Sequence, residues 1–221
     1  MSFLGPEDSR IAAFRRLQMT LSSAPSVALL QATGLLGLDR ALGGGLPQGS
    51  LVAVYGPVTS GRYALAAHLL ARATHQAFAG LCDDGSWYPP ALAQAGVNLD
   101  RLLVVLGNEP RALLRSADLL VRGGGLSLVV LPPVRARSAM WRRLRQLAQQ
   151  HATVVVALAA APLDDALALA ADVHLRCHLE RALWSAVPAP LTQLLGYDLR
   201  VDVLRARHVR GHPSAQISAV A

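Results

Sequence analysis

Leu51-Val-Ala-Val-Tyr55 runs directly into Gly56-Pro-Val-Thr-Ser-Gly-Arg-Tyr63, and residues 64–74 continue as a helical stretch. A short apolar run, a glycine-rich turn and a helix, in that order, form the setting of a loop whose backbone N–H groups cradle phosphate. In a working loop of this kind a Lys reaches the β- and γ-phosphates, and the Ser or Thr after it holds Mg²⁺. Gly56 and Gly61 keep the required spacing, but Arg62 stands at the Lys position and Tyr63 at the hydroxyl position. A glycine-rich strand-to-helix turn is often only a turn, so the neighbouring sequence has to decide.

Ahead of the loop stands Thr33-Gly-Leu-Leu-Gly-Leu-Asp-Arg-Ala-Leu-Gly-Gly-Gly-Leu-Pro-Gln-Gly49. It closely resembles the segment that precedes the phosphate loop in the bacterial RecA recombinase family. Ala95-Gly-Val-Asn-Leu-Asp-Arg-Leu-Leu103 resembles a second RecA stretch, and residues 166–181 and 196–213 resemble the last strands of the RecA core. The resemblance spans residues 32–213. It implies an α/β RecA-like P-loop NTPase fold, with a mostly parallel central sheet, antiparallel C-terminal edge strands and an N-terminal helical arm.

Hydrophobic periodicity agrees with that class. Continuous apolar runs at 51–55, 78–82, 126–131 and 153–159 predict buried strands. Helices are predicted at 64–74, 110–122, 136–150 and 163–171. Residues 172–181 and 197–207 alternate with period two, which predicts an antiparallel pair. The expected organisation is an N-terminal amphipathic helix and linker at 1–26, a core at 27–211 and a flexible tail at 212–221. On the N-terminal helix, Ile11, Phe14, Leu17 and Leu21 form one apolar stripe. That stripe either docks a partner or folds back on its own core.

Composition narrows the classes. Of the 221 residues 52% are hydrophobic and only 16% charged, which excludes a disordered or coiled-coil chain. The greasiest stretch, 153–163, ends at Asp164 and Asp165, short of the about 20 residues a bilayer requires. Residues 1–10 carry no secretory signal, so a cytoplasmic protein without membrane contact is expected. The net charge is +7, and all 21 basic residues are Arg. No Lys exists to catalyse or to hold phosphate. Either coding bias produced this, or a nucleic acid or acidic partner uses the guanidiniums. Cys82 and Cys177 lack paired spacing and read as buried thiols, and no metal set stands out among the His residues.

Residue by residue, the ATPase parts that the resemblance implies are altered. The catalytic Glu of the family aligns with Asp84 or its neighbour Asp83. Leu131 occupies the place of the Asp that holds Mg²⁺ through water, and the sensor Gln falls among the apolar residues 158–161. Phosphoryl transfer depends on positioned charge and metal. The sequence therefore predicts no catalytic residue, no resident cofactor and no ATPase activity. Gly56, Pro57, Val58, Thr59, Ser60, Gly61, Arg62 and Tyr63 form a vestigial phosphate loop, which leaves room for weak ATP or phosphate binding.

The two DNA-binding loops of RecA have no room here, because residues 132–136 and 159–162 are too short. What remains is a basic cluster: Arg135, Arg137, Arg142, Arg143 and Arg145. It reads either as a solvated helix face or as a docking face for DNA or an acidic partner. A short RecA-like chain with an altered loop and no DNA loops resembles the ImuA family of the SOS mutagenesis cassette. That resemblance implies RecA, the inactive Y-family polymerase homologue ImuB and an error-prone replicative polymerase α subunit as partners in translesion synthesis. Alternatives are a weak or partner-dependent ATPase or recombination mediator, and a cell-division inhibitor on a RecA-like fold.

Overall fold

The computed structural model describes residues 29–186, 194–209, 211 and 213–220. The stripe of Ile11, Phe14, Leu17 and Leu21 and its linker lie outside the described residues. At the centre stand β3 (Leu51–Gly56), β6 (Leu126–Leu131) and β7 (Val154–Ala160). Their side chains are sorted by strand alternation into two layers. Val52, Val54, Val154 and Val156 face one core, whereas Leu51, Ala53, Val155 and Ala157 face the other. Such strands are apolar on both sides because both sides are covered.

One layer is built by α1 (Leu36–Ala41), α2 (Arg62–Gln76) and α3 (Pro89–Gln94); the other is built by α4 (Pro110–Gly123), α5 (Ser138–His151) and α6 (Asp165–Ala170). α2 buries Leu65, Ala66, Leu69, Leu70 and Ala73, positions that recur at helical spacing. On the opposite side Trp141 and Leu144 of α5 pack with Ala117 and Val121 of α4. A short pair, β1 (Leu30–Gln31) and β2 (Leu46–Pro47), brackets α1. Asp39 fixes that bracket by accepting from Thr33 N and Oγ1, both at 2.7 Å.

β4 (Phe78–Asp83), β5 (Leu102–Leu106), β8 (Val173–Trp184), β9 (Leu194–Ala206) and β10 (Ser214–Val220) complete the eight-stranded sheet. Its order is β10-β9-β8-β3-β7-β6-β4-β5. The strands from β8 to β5 run parallel, and β9 and β10 run antiparallel to their neighbours. This is the mostly parallel α/β sheet with an antiparallel C-terminal edge.

The C-terminal tail corrects the sequence reading. Residues 214–220, expected to be loose, form the edge strand β10, with Ala215 opposite Val201 and Ile217 opposite Leu199. Small polar residues disguise the alternation. Ala215 and Ile217 are nonetheless buried in the core while Gln216 faces out.

Candidate functional site

β3 is buried along its length and delivers the glycine-rich loop to the edge of the sheet. Gly61 ends the loop at φ 82° as the N-cap of α2. A Cβ there would lie 2.3 Å from Leu199 Cδ2, so β9 presses against the loop from below. A Cβ on Gly56 would lie 2.4 Å from Ser60 Oγ and 2.6 Å from the Cys177 carbonyl. Both glycines are thus required by packing inside the protein, besides any ligand. Thr59 takes the left-handed conformation, φ 69°, which a β-branched residue adopts only under constraint.

Arg62 turns back onto the loop. Its Nη1 donates to the Gly56 carbonyl at 2.7 Å, and its guanidinium lies 5.5 Å from the centre of the Tyr63 ring. Tyr63 in turn meets Trp87 edge-on, with ring centres 5.1 Å apart. Trp87 therefore ties the loop after β4 to α2. Ser60 is buried, and among the described residues its hydroxyl has no hydrogen-bond partner. Behind the loop, burial pushes the Cys177 thiol up to about 12, so it stays protonated; the nearby Arg62 charge opposes this without reversing it.

Beside the loop lies a cavity of about 350 Å³, lined by residues 58–64 together with Leu179 and Tyr197. A second, of about 370 Å³, continues along Tyr63, Trp87, Tyr88 and Tyr197. Tyr197 and Leu199, both on β9, were not singled out in the sequence. Their signal was only the period-two pattern of the strand, which does not say what the strand covers.

Metal and acid positions are differently furnished. Leu131 is fully buried at the end of β6, and the end of β7 offers Ala159 and Ala160. Asp83 is buried and accepts from Gly85 N at 2.8 Å and Trp87 N at 3.3 Å, a turn-forming role. Asp84 is exposed beside it and accepts from Ser86 N at 3.2 Å. Among the described residues, no group of three His, Cys, Asp or Glu side chains is placed to hold a metal ion.

The basic cluster is divided between the link before α5 and the two flanks of α5 itself. Arg135 and Arg137 are exposed in the link between β6 and α5. Arg142 is exposed on α5, while Arg143 binds Asp118 of α4 and Arg145 binds Asp172 ahead of β8 at 2.8 Å. The reason is geometric: a helix turns about 100° per residue, so 143 and 145 point to opposite flanks. Asp118 is held below the usual carboxylate range, chiefly by its hydrogen bond from Arg143. His174 and His178 on β8 are half-buried; burial, then Arg205, holds His174 below the usual histidine value.

Comparison with known proteins places this geometry. The RecA N-terminal domain family matches residues 17–161. Protein RecA of Rickettsia bellii (strain RML369-C) is 38% identical over 124 residues, covering 53% of this chain and 36% of that protein. Protein RecA of Azospirillum lipoferum (strain 4B) is 43% identical over 109 residues, 47% of this chain and 30% of its own length. The match thus spans about a third of the length of these curated relatives. Among the described residues no helix is long and apolar enough to cross a membrane.

Proposed function

The chain belongs to the RecA N-terminal domain family, and from that premise we propose that it is a non-catalytic adaptor of the DNA-damage response. In this reading, like the ImuA proteins it resembles, it docks RecA and an ImuB-type inactive polymerase homologue for error-prone translesion synthesis. One observation carries the non-catalytic part: Arg62 is bonded to the Gly56 carbonyl of its own loop at 2.7 Å. A guanidinium used in this way braces the turn from within. With Tyr63 in place of the metal-binding hydroxyl and Leu131 in place of the acid, the loop has no Mg²⁺ ligand at either position. The fold is then kept for its surfaces.

The test has two arms. ATP turnover is measured with and without single-stranded DNA, and the chain is used to capture purified RecA, the ImuB-type protein and the division GTPase. No turnover is expected, together with retention of RecA and the ImuB-type protein. Turnover that Arg62→Ala abolishes would overturn the non-catalytic part. Retention of the division GTPase alone would replace the adaptor with a division inhibitor. A second reading, a weak or partner-dependent ATPase or recombination mediator, is favoured by the run of backbone N–H groups at 59–62, an arrangement that suits an anion such as phosphate. Turnover that emerges only on adding RecA selects it.

A further inference from the structure

The flanks of α5 carry an arrangement that the adaptor reading does not use. Asp118 accepts from Arg122 Nη2 at 2.6 Å and from Arg143, so one carboxylate serves two guanidiniums. On the other flank Asp172 serves Arg145 at 2.8 Å and Arg207 at 3.2 Å. Arg142 stands exposed between the two clusters, with no ion pair among the described residues. Five guanidiniums against two carboxylates leave this band with a net charge of +3. Desolvation and the neighbouring Arg145 and Arg205 charges make Arg207 easier to deprotonate than an ordinary Arg, despite Asp172.

Two exposed leucines accompany the band. Leu119, next to Asp118 on α4, is 59% exposed, and Leu169 on α6 is 73% exposed. α5 packs against both α4 and α6, so the arginine-bearing helix lies between the elements that carry the leucines. Asp172 also accepts from Leu51 N at 3.2 Å. This places its cluster at the start of β3, the end of the strand away from the 56–63 loop.

We propose that this surface docks an acidic amphipathic segment of a partner protein. Its carboxylates would engage Arg142, Arg143, Arg145 and Arg207, and its apolar side chains would cover Leu119 and Leu169. Charge complementarity selects an anionic occupant. The arginines are already held in place by Asp118 and Asp172, and a planar guanidinium with one edge engaged still presents N–H groups to a second carboxylate. The leucines select between anions. A nucleic-acid backbone offers nothing to cover them, whereas an amphipathic protein segment does. The proposal is independent of the state of the phosphate loop and of whether RecA or the ImuB-type protein binds.

The test uses the full chain and a fluorescein-labelled amphipathic peptide of Glu and Leu, with the same peptide carrying Gln for Glu and with oligo-dT as controls. Binding is read by fluorescence anisotropy at several salt concentrations. The Glu peptide is expected to bind and the Gln peptide not, with affinity falling as salt rises. Arg142→Glu should weaken binding about tenfold, and Leu119→Ser or Leu169→Ser should weaken it about threefold. All three positions are exposed, and unchanged thermal melting confirms that the fold is intact. Equal binding of the peptide to wild type and Arg142→Glu overturns the proposal, as does failure of the Glu peptide to bind at all. Tighter binding of oligo-dT that ignores Leu119→Ser also overturns it and assigns the band to nucleic acid.

Discussion

Replacing Gly61 with Ala tests whether the loop is held by the protein or shaped for a ligand. Two costs are expected in the free chain. Gly61 sits at φ 82°, and an L-residue in the left-handed region costs about 1–2 kcal/mol. The new Cβ would lie 2.3 Å from Leu199 Cδ2 and 2.7 Å from Cδ1. Leu199 is 1% exposed within the core, so it has no solvent to retreat into. Overpacking of this kind costs about 1–3 kcal/mol. Gly61→Ala should thus destabilise the ligand-free protein by about 2–5 kcal/mol, read as a fall in the urea midpoint without a change in slope. A double-mutant cycle separates the two costs. In a Leu199→Ala background the clash is gone and only the backbone cost of about 1–2 kcal/mol remains, so a coupling of about 1–3 kcal/mol is expected. A Gly61→Ala cost below about 1 kcal/mol, with no coupling to Leu199, would refute the argument that β9 braces the loop.

Further outcomes are expected elsewhere in the molecule. Ile217→Ala should cost about 2–5 kcal/mol in chemical denaturation; a neutral effect would return residues 214–220 to a loose tail. Trp141 is 1% exposed under α5, and Trp141→Ala should cost about 3–5 kcal/mol by the same assay. Burial, the largest cause at both, holds His68 and His174 below the ordinary histidine value of about 6.5. The unfolded chain therefore binds their protons more readily, and the stability they contribute is lost as pH falls below about 6.5. Thermal melting of His68→Gln and His174→Gln from pH 7 to pH 5 should show a shallower decline than wild type. An unchanged slope would mean that these imidazoles titrate normally.

The fold class was legible because burial writes itself into sequence as periodicity. The runs at 51–55, 126–131 and 153–159 are apolar at every position but Ser127 and Thr153, as suits strands covered on both faces, and the resemblance of residues 33–49 set their order. The identities of Arg62 and Tyr63 in the loop and of Leu131 at the end of β6 were also plain in sequence, since charge and hydroxyl chemistry belong to the residue type itself. Tertiary structure alone decided what those residues touch. That Arg62 turns onto the Gly56 carbonyl depends on how the loop closes, and that Leu199 closes under Gly61, that Arg143 reaches Asp118 and that Asp172 holds Arg145 and Arg207 depends on contacts between residues far apart in the chain. Asp118 and Asp172 look like ordinary surface acids in the sequence, because a lone carboxylate carries no periodic signal. Arg143 and Arg145, two residues apart, look like one patch in sequence and lie on opposite flanks in space, because the helix turn that separates them has no expression in linear spacing. The β10 strand was hidden for a related reason. An edge strand made of small residues is stabilised by its pairing with β9, and the strength of that pairing is a property of the partner strand's position.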